Sequence, residues 1–435
     1  MSKTTSYLLI TMAFFSTWVQ ATEKDDVTRL LSEQAITFSA DKFPFQQLGE
    51  WIGDRQIVLL GDSTHGSQEF YRYRAEISRY LITNHGFSTV IVEGNWPGGQ
   101  RVNQYIHHHT DNSANLALSG FKSYFPWLWR NQTMLEFVQW LHNYNRNKPQ
   151  QAVSFYGMDL FSLTASITRN IELLKKHNTP FNAKLIDLYH CFSSFKNDSL
   201  RYGQYAAKNP QKSCQTQAEQ QYSIISEHPD LLSNKAEYFD LRINSLIIQT
   251  AEQYFRMSVE TEANEIWNLR ERFMQKIFNT VFNQQKKINS AAKVIIWAHN
   301  SHAGDARATS MKEQKRESIG QLLRQQFGKQ QVFLLGALSY QGEVMASKQW
   351  GGPANVMRMP VAIEGSYSHL FHQLNSSRFI MNFSTLTFSP FYQRFIGVVY
   401  VPEEEQLYHY NNAKIDQQFD ALLFVDQTTA VQTLD

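Results

Sequence analysis

Asp62, His65, Arg74, Glu93, His299 and His302 have the types and spacing to do acid–base or hydrolytic chemistry. Histidine is the side chain whose proton changes hands near neutral pH. His65 lies in Gly61-Asp62-Ser63-Thr64-His65-Gly66, where the glycines permit tight turns and close backbone approach. The plainer alternative is a histidine that caps or stacks on the helix that follows. Glu93 follows Val90-Ile91-Val92 and precedes Gly94. A carboxylate at a buried strand end can pair with Arg74, hold a histidine tautomer, or act as a base. His299 and His302 stand three apart after Ile295-Ile296-Trp297. Such a pair can serve as metal ligands, as oxyanion donors, or as an acid and its support, and one of the two can equally face solvent. Arg74 falls in the stripe Phe70, Arg74, Ile77, Leu81, the core-facing side of a helix. There it needs an anion, Asp62 or Glu93, because an unpaired buried charge is very costly. The alternative is an arginine that snorkels at the stripe's edge. On one ideal helix His65 and Arg74 point apart, so His65 belongs in the turn before it.

These residues need a scaffold. Short apolar, β-branched-rich runs predict buried strands at Gln56 to Leu60, Thr89 to Val92, Ala152 to Tyr156, Lys293 to Ala298, Gln331 to Leu335, Ile396 to Val401 and Asp420 to Val425. Helical patterns lie between them, at Ser67 to Asn84 and Thr133 to Tyr144. Most of the strand runs are apolar on both faces, which predicts an α/β fold with a largely parallel central sheet flanked by helices. Leu163 to about Gln285 contains no strand pattern and reads as a helical insertion. Leu241 to Phe255 and Glu265 to Phe282 are its long amphipathic helices. In such sheets ligands bind beyond the carboxyl ends of the strands. Asp62, His65, Glu93, His299 and His302 follow just those ends, as does Gly157-Met158-Asp159, which predicts one convergent polar site.

The chain has 435 residues, 42% of them hydrophobic, enough for a large core. Its formal charge is +2 and no block of like charge occurs, so nothing suggests a nucleic-acid groove or a polybasic anchor. Lys3, an apolar Tyr7 to Val19 and Val19-Gln20-Ala21 have the layout of a secretory signal peptide, residues 1–21, cleaved after Ala21. The mature chain, residues 22–435, is then expected to be periplasmic or secreted, without a stable membrane anchor. In an oxidising compartment Cys191 and Cys214 are expected to pair, the alternative being two separate thiols. His107-His108-His109 reads as a polar helix end. Trp96, Phe125, Trp127 and Trp129 could wall an apolar cleft, although aromatics in such numbers also build cores. No Gly-x-Ser-x-Gly elbow, His-Glu-x-x-His or Walker A motif occurs.

From about Val58 to about Ala430 the sequence resembles the erythromycin esterase family. The resemblance rests on Gly-Asp-Ser-Thr-His-Gly at 61–66, Gly86-Phe87 with Val92-Glu93, Trp140-Leu141, Tyr156-Gly157-Met158-Asp159 and Trp297-Ala298-His299-Asn300-Ser301-His302. Ser318-Ile319-Gly320, Val399-Tyr400-Val401-Pro402 and Phe419-Asp420-Ala421 follow in order. The resemblance implies a hydrolase without cofactor or metal that opens the lactone ester of macrolides. It implies that His65 is the general base, that Arg74 and Glu93 complete the site, and that His299 and His302 take part. The family usually has Gly-Glu where this chain has Gly61-Asp62, one methylene shorter, a change of roughly 1 Å that can matter to catalysis. The partner expected is a small-molecule ester or lactone. The rivals are a metal-dependent hydrolase or peptidase built on His65, Glu93, His299 and His302, and a haem- or metal-binding protein of related fold.

Overall fold

The structure, a computed structural model, describes residues 28–110, 113–122, 125–195 and 198–434. The expected signal peptide lies outside the described residues. Strands run as β1 (Ile36–Thr37), β2 (Ile57–Leu60), β3 (Phe87–Asn95), β4 (Ser154–Asp159), β5 (Lys293–Trp297), β6 (Val332–Ser347), β7 (Ala354–Met359), β8 (Arg378–Asn382), β9 (Phe391–Arg394), β10 (Tyr410–Ala413) and β11 (Ala421–Thr428). The main sheet is ordered β1-β8-β11-β6-β2-β5-β3-β4, with β7 added to β6. The run from β11 to β4 is parallel; β1, β7 and β8 pair antiparallel at one side. The fold is therefore mixed but mostly parallel.

The doubly apolar strand patterns follow from what covers the sheet. Ile57 and Leu59 join one buried cluster, Val58 and Leu60 the other, as the two-residue pleat requires. The second face is covered by the helices Gln68–His85 and Gln132–Asn147. The first face is covered by the insertion between β4 and β5. Among its described residues that insertion holds helices and no strand, from Leu163–His177 to Lys235–Met257 and Ala263–Ile288. Cys191 and Cys214 form a disulfide within it, with Cα atoms 5.8 Å apart. Among the described residues no helix is long and apolar enough to cross a membrane.

One expected strand is absent. Ile396 to Val401 forms single bridges, Ile396 to Thr64 and Val399 to Ser347, because it passes between two different partners. Its backbone bonds are split between the loop after β2 and the end of β6. The expected strand at Gln331 to Leu335 is the first quarter of β6, which continues past the core into a hairpin with β7.

Candidate active site

Strand order assembles the site. β2, β5, β3 and β4 are neighbours and parallel, so their carboxyl ends share one edge of the sheet. The chain visits β2, β3 and β4, crosses the insertion, and returns to place β5 between β2 and β3. This delivers Asp62 and His65 after β2, Glu93 in β3, Asp159 at the end of β4, and His299 and His302 after β5.

The loop carrying His65 is tied on both sides. Its amide donates to Ile396 at 3.1 Å, and Asn300 N–H donates to the Asp62 carbonyl at 2.7 Å. Gly66 is required by close approach: a Cβ there would lie 1.9 Å from the Met345 carbonyl oxygen. His65 sits in this turn, before the Gln68–His85 helix, as the opposed directions of His65 and Arg74 demanded. Its Nδ1 lies 3.3 Å from Asp62 Oδ1, while Arg74 Nη1 lies 2.5 Å from Asp62 Oδ2. The aspartate thus stands within ion-pair distance of both partners despite its shorter side chain, although neither contact has hydrogen-bond geometry. Burial alone would raise the Asp62 pKa, but Arg74 and then His65 hold it down at about 2. Arg74 is tolerated in the core by that ion pair and by the faces of Tyr71 and Trp297, 4.7 and 5.3 Å from its Cζ. It stands behind Asp62 and is no part of the cavity wall, so the expected cation facing the site is a different arginine.

That arginine is Arg270, on the Ala263–Ile288 helix. Its Nη2 donates to Glu93 Oε1 and Asp159 Oδ2, both at 2.7 Å, and its Nε to Asp159 Oδ1 at 3.1 Å. Arg74 therefore does not pair with Glu93. Burial opposes the charge on Arg270, but Asp159 and Glu93 outweigh it and raise its pKa. Glu93 also accepts the His299 N–H at 2.9 Å and lies 3.2 Å from His302 Nε2. Burial works against the Glu93 carboxylate, yet His302 and Arg270 hold its pKa well below the usual range. His302 Nδ1 contacts Glu271, which is fully buried.

His299 faces His65, ring centroids 4.8 Å apart. Its Nδ1 accepts the Ser301 N–H at 3.3 Å as it caps the Asn300–Ala303 helix, and it bonds Ser301 Oγ at 2.8 Å. Burial and the nearby His65 push its pKa down to about 3, so it is neutral near pH 7. With Nδ1 accepting, the proton belongs on Nε2. Nε2 has no hydrogen-bond partner among the described residues.

The cavity over these groups holds about 290 Å³. His65, Glu93, Asp159, Arg270, His299 and His302 line it, with Phe121, Phe125, Trp129, Phe161, Trp267, Trp350 and Phe395 as aromatic walls. The aromatic candidates divide accordingly. Phe125 and Trp129 wall the cavity, Trp127 is buried outside it, and Trp96 is core, its Nε1 on Asp240. His107 ends the Trp96–Ile106 helix. The sequence reading missed Arg270 and Glu271 because both lie inside an amphipathic helix pattern.

The erythromycin esterase family model matches residues 82–428. The chain belongs to the erythromycin esterase family. The matched stretch includes Glu93, Asp159, Arg270, His299 and His302; Asp62, His65 and Arg74 lie just before it. An Escherichia coli erythromycin esterase type II is 30% identical over 131 residues, 30% of this chain and 29% of that protein. A Bacillus subtilis (strain 168) protein named "Putative hydrolase YbfO" is 20% identical over 309 residues, 67% of each chain. The fold matches a Bacillus cereus protein of solved structure (TM-score 0.78, 17% identity, 95% of this chain and 99% of that one). It also matches a succinoglycan biosynthesis protein (0.77, 19%, 94% and 98%). A mutant erythromycin esterase, EreC, in an open conformation matches at 0.63, with 15% identity over 88% and 93%.

Proposed function

We propose that this member of the family hydrolyses carboxylic esters by direct attack of a water activated by His65. Family membership supports hydrolase chemistry. The observation that carries the reading is the facing pair: His65, with Asp62 at its Nδ1, and a neutral His299 whose Nε2–H is unpartnered. Asp62 favours the proton on His65 Nδ1 and leaves Nε2 as the base. His65 Nε2 takes a proton from water as its oxygen attacks the ester carbonyl. His299 Nε2–H donates to the oxyanion. On collapse the C–O bond breaks and the alkoxide takes the proton from the His65 imidazolium. General-base catalysis contributes roughly 10²–10⁴-fold and one oxyanion donor roughly 10²–10³-fold.

The metal-independent reading draws support from Arg270. Its guanidinium occupies the space among Glu93, Asp159 and His302 where a cation would bind. The aromatic cavity, just below the roughly 300–1,000 Å³ of pockets for drug-sized ligands, suits a compact ester or one segment of a macrolide lactone. Export fits the disulfide, which persists in oxidising compartments. N-terminal sequencing of the mature protein checks the cut after Ala21.

The test is a hydrolysis panel of erythromycin and short-chain 4-nitrophenyl esters, with and without EDTA. His65→Gln serves as the blank. Turnover that survives EDTA and falls at least a hundredfold in His65→Gln is expected. Activity within a few-fold of wild type in His65→Gln sinks the mechanism. Loss in EDTA with rescue by Zn²⁺ replaces it with a metal-dependent one.

A further inference from the structure

Arg270 and Glu271 are consecutive on the Ala263–Ile288 helix, yet they meet opposite nitrogens of one imidazole. Glu271 Oε1 contacts His302 Nδ1, and Arg270 Nη1 lies 3.1 Å from His302 Nε2. Glu93 Oε1 lies 3.2 Å from the same Nε2. Trp267, one turn earlier on the helix, stacks on the ring at 4.6 Å with the planes 8° apart. Glu271 itself is fully buried and lines no part of the cavity, so it does not touch a substrate. Its second oxygen accepts the Ile319 N–H at 2.7 Å, at the start of the Ile319–Phe327 helix. That bond fixes the carboxylate without needing His302.

Two protonation patterns are open to His302, and they differ at Nε2. In one, His302 is neutral: Nδ1–H donates to Glu271 and Nε2 accepts from Arg270. In the other it is an imidazolium: Nδ1–H donates to Glu271 and Nε2–H to Glu93, and Arg270 Nη1, itself a donor, makes no hydrogen bond to it. Charge decides between them. Glu93 from β3 and Asp159 from β4 pair with Arg270, and Glu271 from the insertion meets His302, so three carboxylates surround one guanidinium and one imidazole. The other titratable or charged neighbours are His65, His299, Asp62, Tyr71, Tyr254 and, over the face of Trp267, Arg316; His299 is neutral, burial keeps both tyrosines neutral, and Asp62 is paired with Arg74. A buried excess of negative charge is very costly, and a second cation relieves it. Burial opposes that charge on His302, but Glu271 and then Glu93 outweigh it and raise its pKa.

We infer that Glu271 is a positioning residue: it holds His302 as an imidazolium locked between two carboxylates. The lock fixes Glu93 beneath the His299 N–H, 2.9 Å away, and so fixes the loop that presents the His299 side chain. The helical insertion thereby does more than cover the sheet. It supplies both the clamp on Glu93, Arg270, and the counter-charge of His302.

The kinetic readout rests on the ester-hydrolase reading; the spectroscopic one does not. Glu271→Gln keeps the shape and the acceptor for Ile319 but removes the charge. His302 keeps its proton until pH rises through its raised pKa, so losing the charge on Glu271 makes it lose the proton earlier. The alkaline limb of kcat for a 4-nitrophenyl ester is expected to move down by about 1 to 3 pH units, with KM little changed. Glu271→Asp is expected to restore part of the shift. In ¹⁵N-histidine-labelled wild type, NMR titration is expected to show His302 doubly protonated at pH 7, and at lower pH only in Glu271→Gln. A wild-type His302 that is neutral throughout pH 5–9 overturns the inference in favour of the Arg270-to-neutral-histidine pattern. An alkaline limb that stays in place in Glu271→Gln also overturns it. If that variant does not fold, the wild-type titration and Glu271→Asp decide. If no ester is turned over, the titration still decides, so the two readings fail separately.

Discussion

Asp62→Asn is the sharpest perturbation, because Asp62 joins the buried charge of Arg74 to the base. At an effective dielectric constant near 20, a carboxylate 3.3 Å from the His65 imidazolium gains about 5 kcal/mol of Coulomb energy. That energy is realised only once His65 has taken the proton, so its loss appears in kcat. Part of it is offset by reorganisation, and a loss of roughly 10²–10⁴-fold in kcat is expected. KM for the same ester should change little. Folding is hit as well. An ionised Asp62 with pKa about 2 against an ordinary 3.8 contributes about 2 kcal/mol at neutral pH, present above about pH 4 and lost as pH falls toward 2. Stranding Arg74 raises the cost of removing the partner to about 3–5 kcal/mol. The assay therefore pairs ester kinetics across pH with urea unfolding at pH 7. Asp62→Asn/Arg74→Met, which removes both buried charges, should recover stability without recovering kcat. A single variant that turns over within threefold of wild type refutes the orienting role of Asp62. A double variant that regains full kcat shows that the loss was one of folding alone.

Trp350 lines the cavity and is partly exposed, edge-on to Phe125 at 5.0 Å and to Phe161 at 5.7 Å. Trp350→Ala should raise the kcat/KM of a long-chain or macrolide ester relative to 4-nitrophenyl acetate, and an unchanged ratio removes Trp350 as a size filter. The Cys191–Cys214 bond closes a separation of 23 residues, for which loop entropy predicts roughly 3 kcal/mol of stabilisation. Cys191→Ser should lower the unfolding midpoint by a matching amount, and the wild type in dithiothreitol should follow it.

The chemistry-bearing ends of the parallel strands were legible in the sequence. Doubly apolar runs mark covered parallel strands, and polar groups just past them must sit at the carboxyl edge, where such sheets bind ligands. Glycine next to His65 marked a backbone that passes close to another, and Gly66 does lie against Met345. The strandless middle read as helical because its apolar spacing is helical throughout. Pairing partners were not legible. The stripe showed that Arg74 must be buried and must find an anion, but both Asp62 and Glu93 met that requirement. Only the strand order, which inserts β5 between β2 and β3 after a long helical excursion, put Arg74 behind Asp62 and brought Arg270 to Glu93. Arg270 and Glu271 lie more than a hundred residues from Glu93 and Asp159 along the chain, so no local pattern links them. His299 shows the same division. Its place after a strand is local, whereas its neutral state and unpartnered Nε2 depend on burial and on His65 across the site. The sequence by itself determined which residue types stand at the sheet edge, since periodicity is local. Tertiary structure alone decided which charges meet, since that depends on strand order and burial.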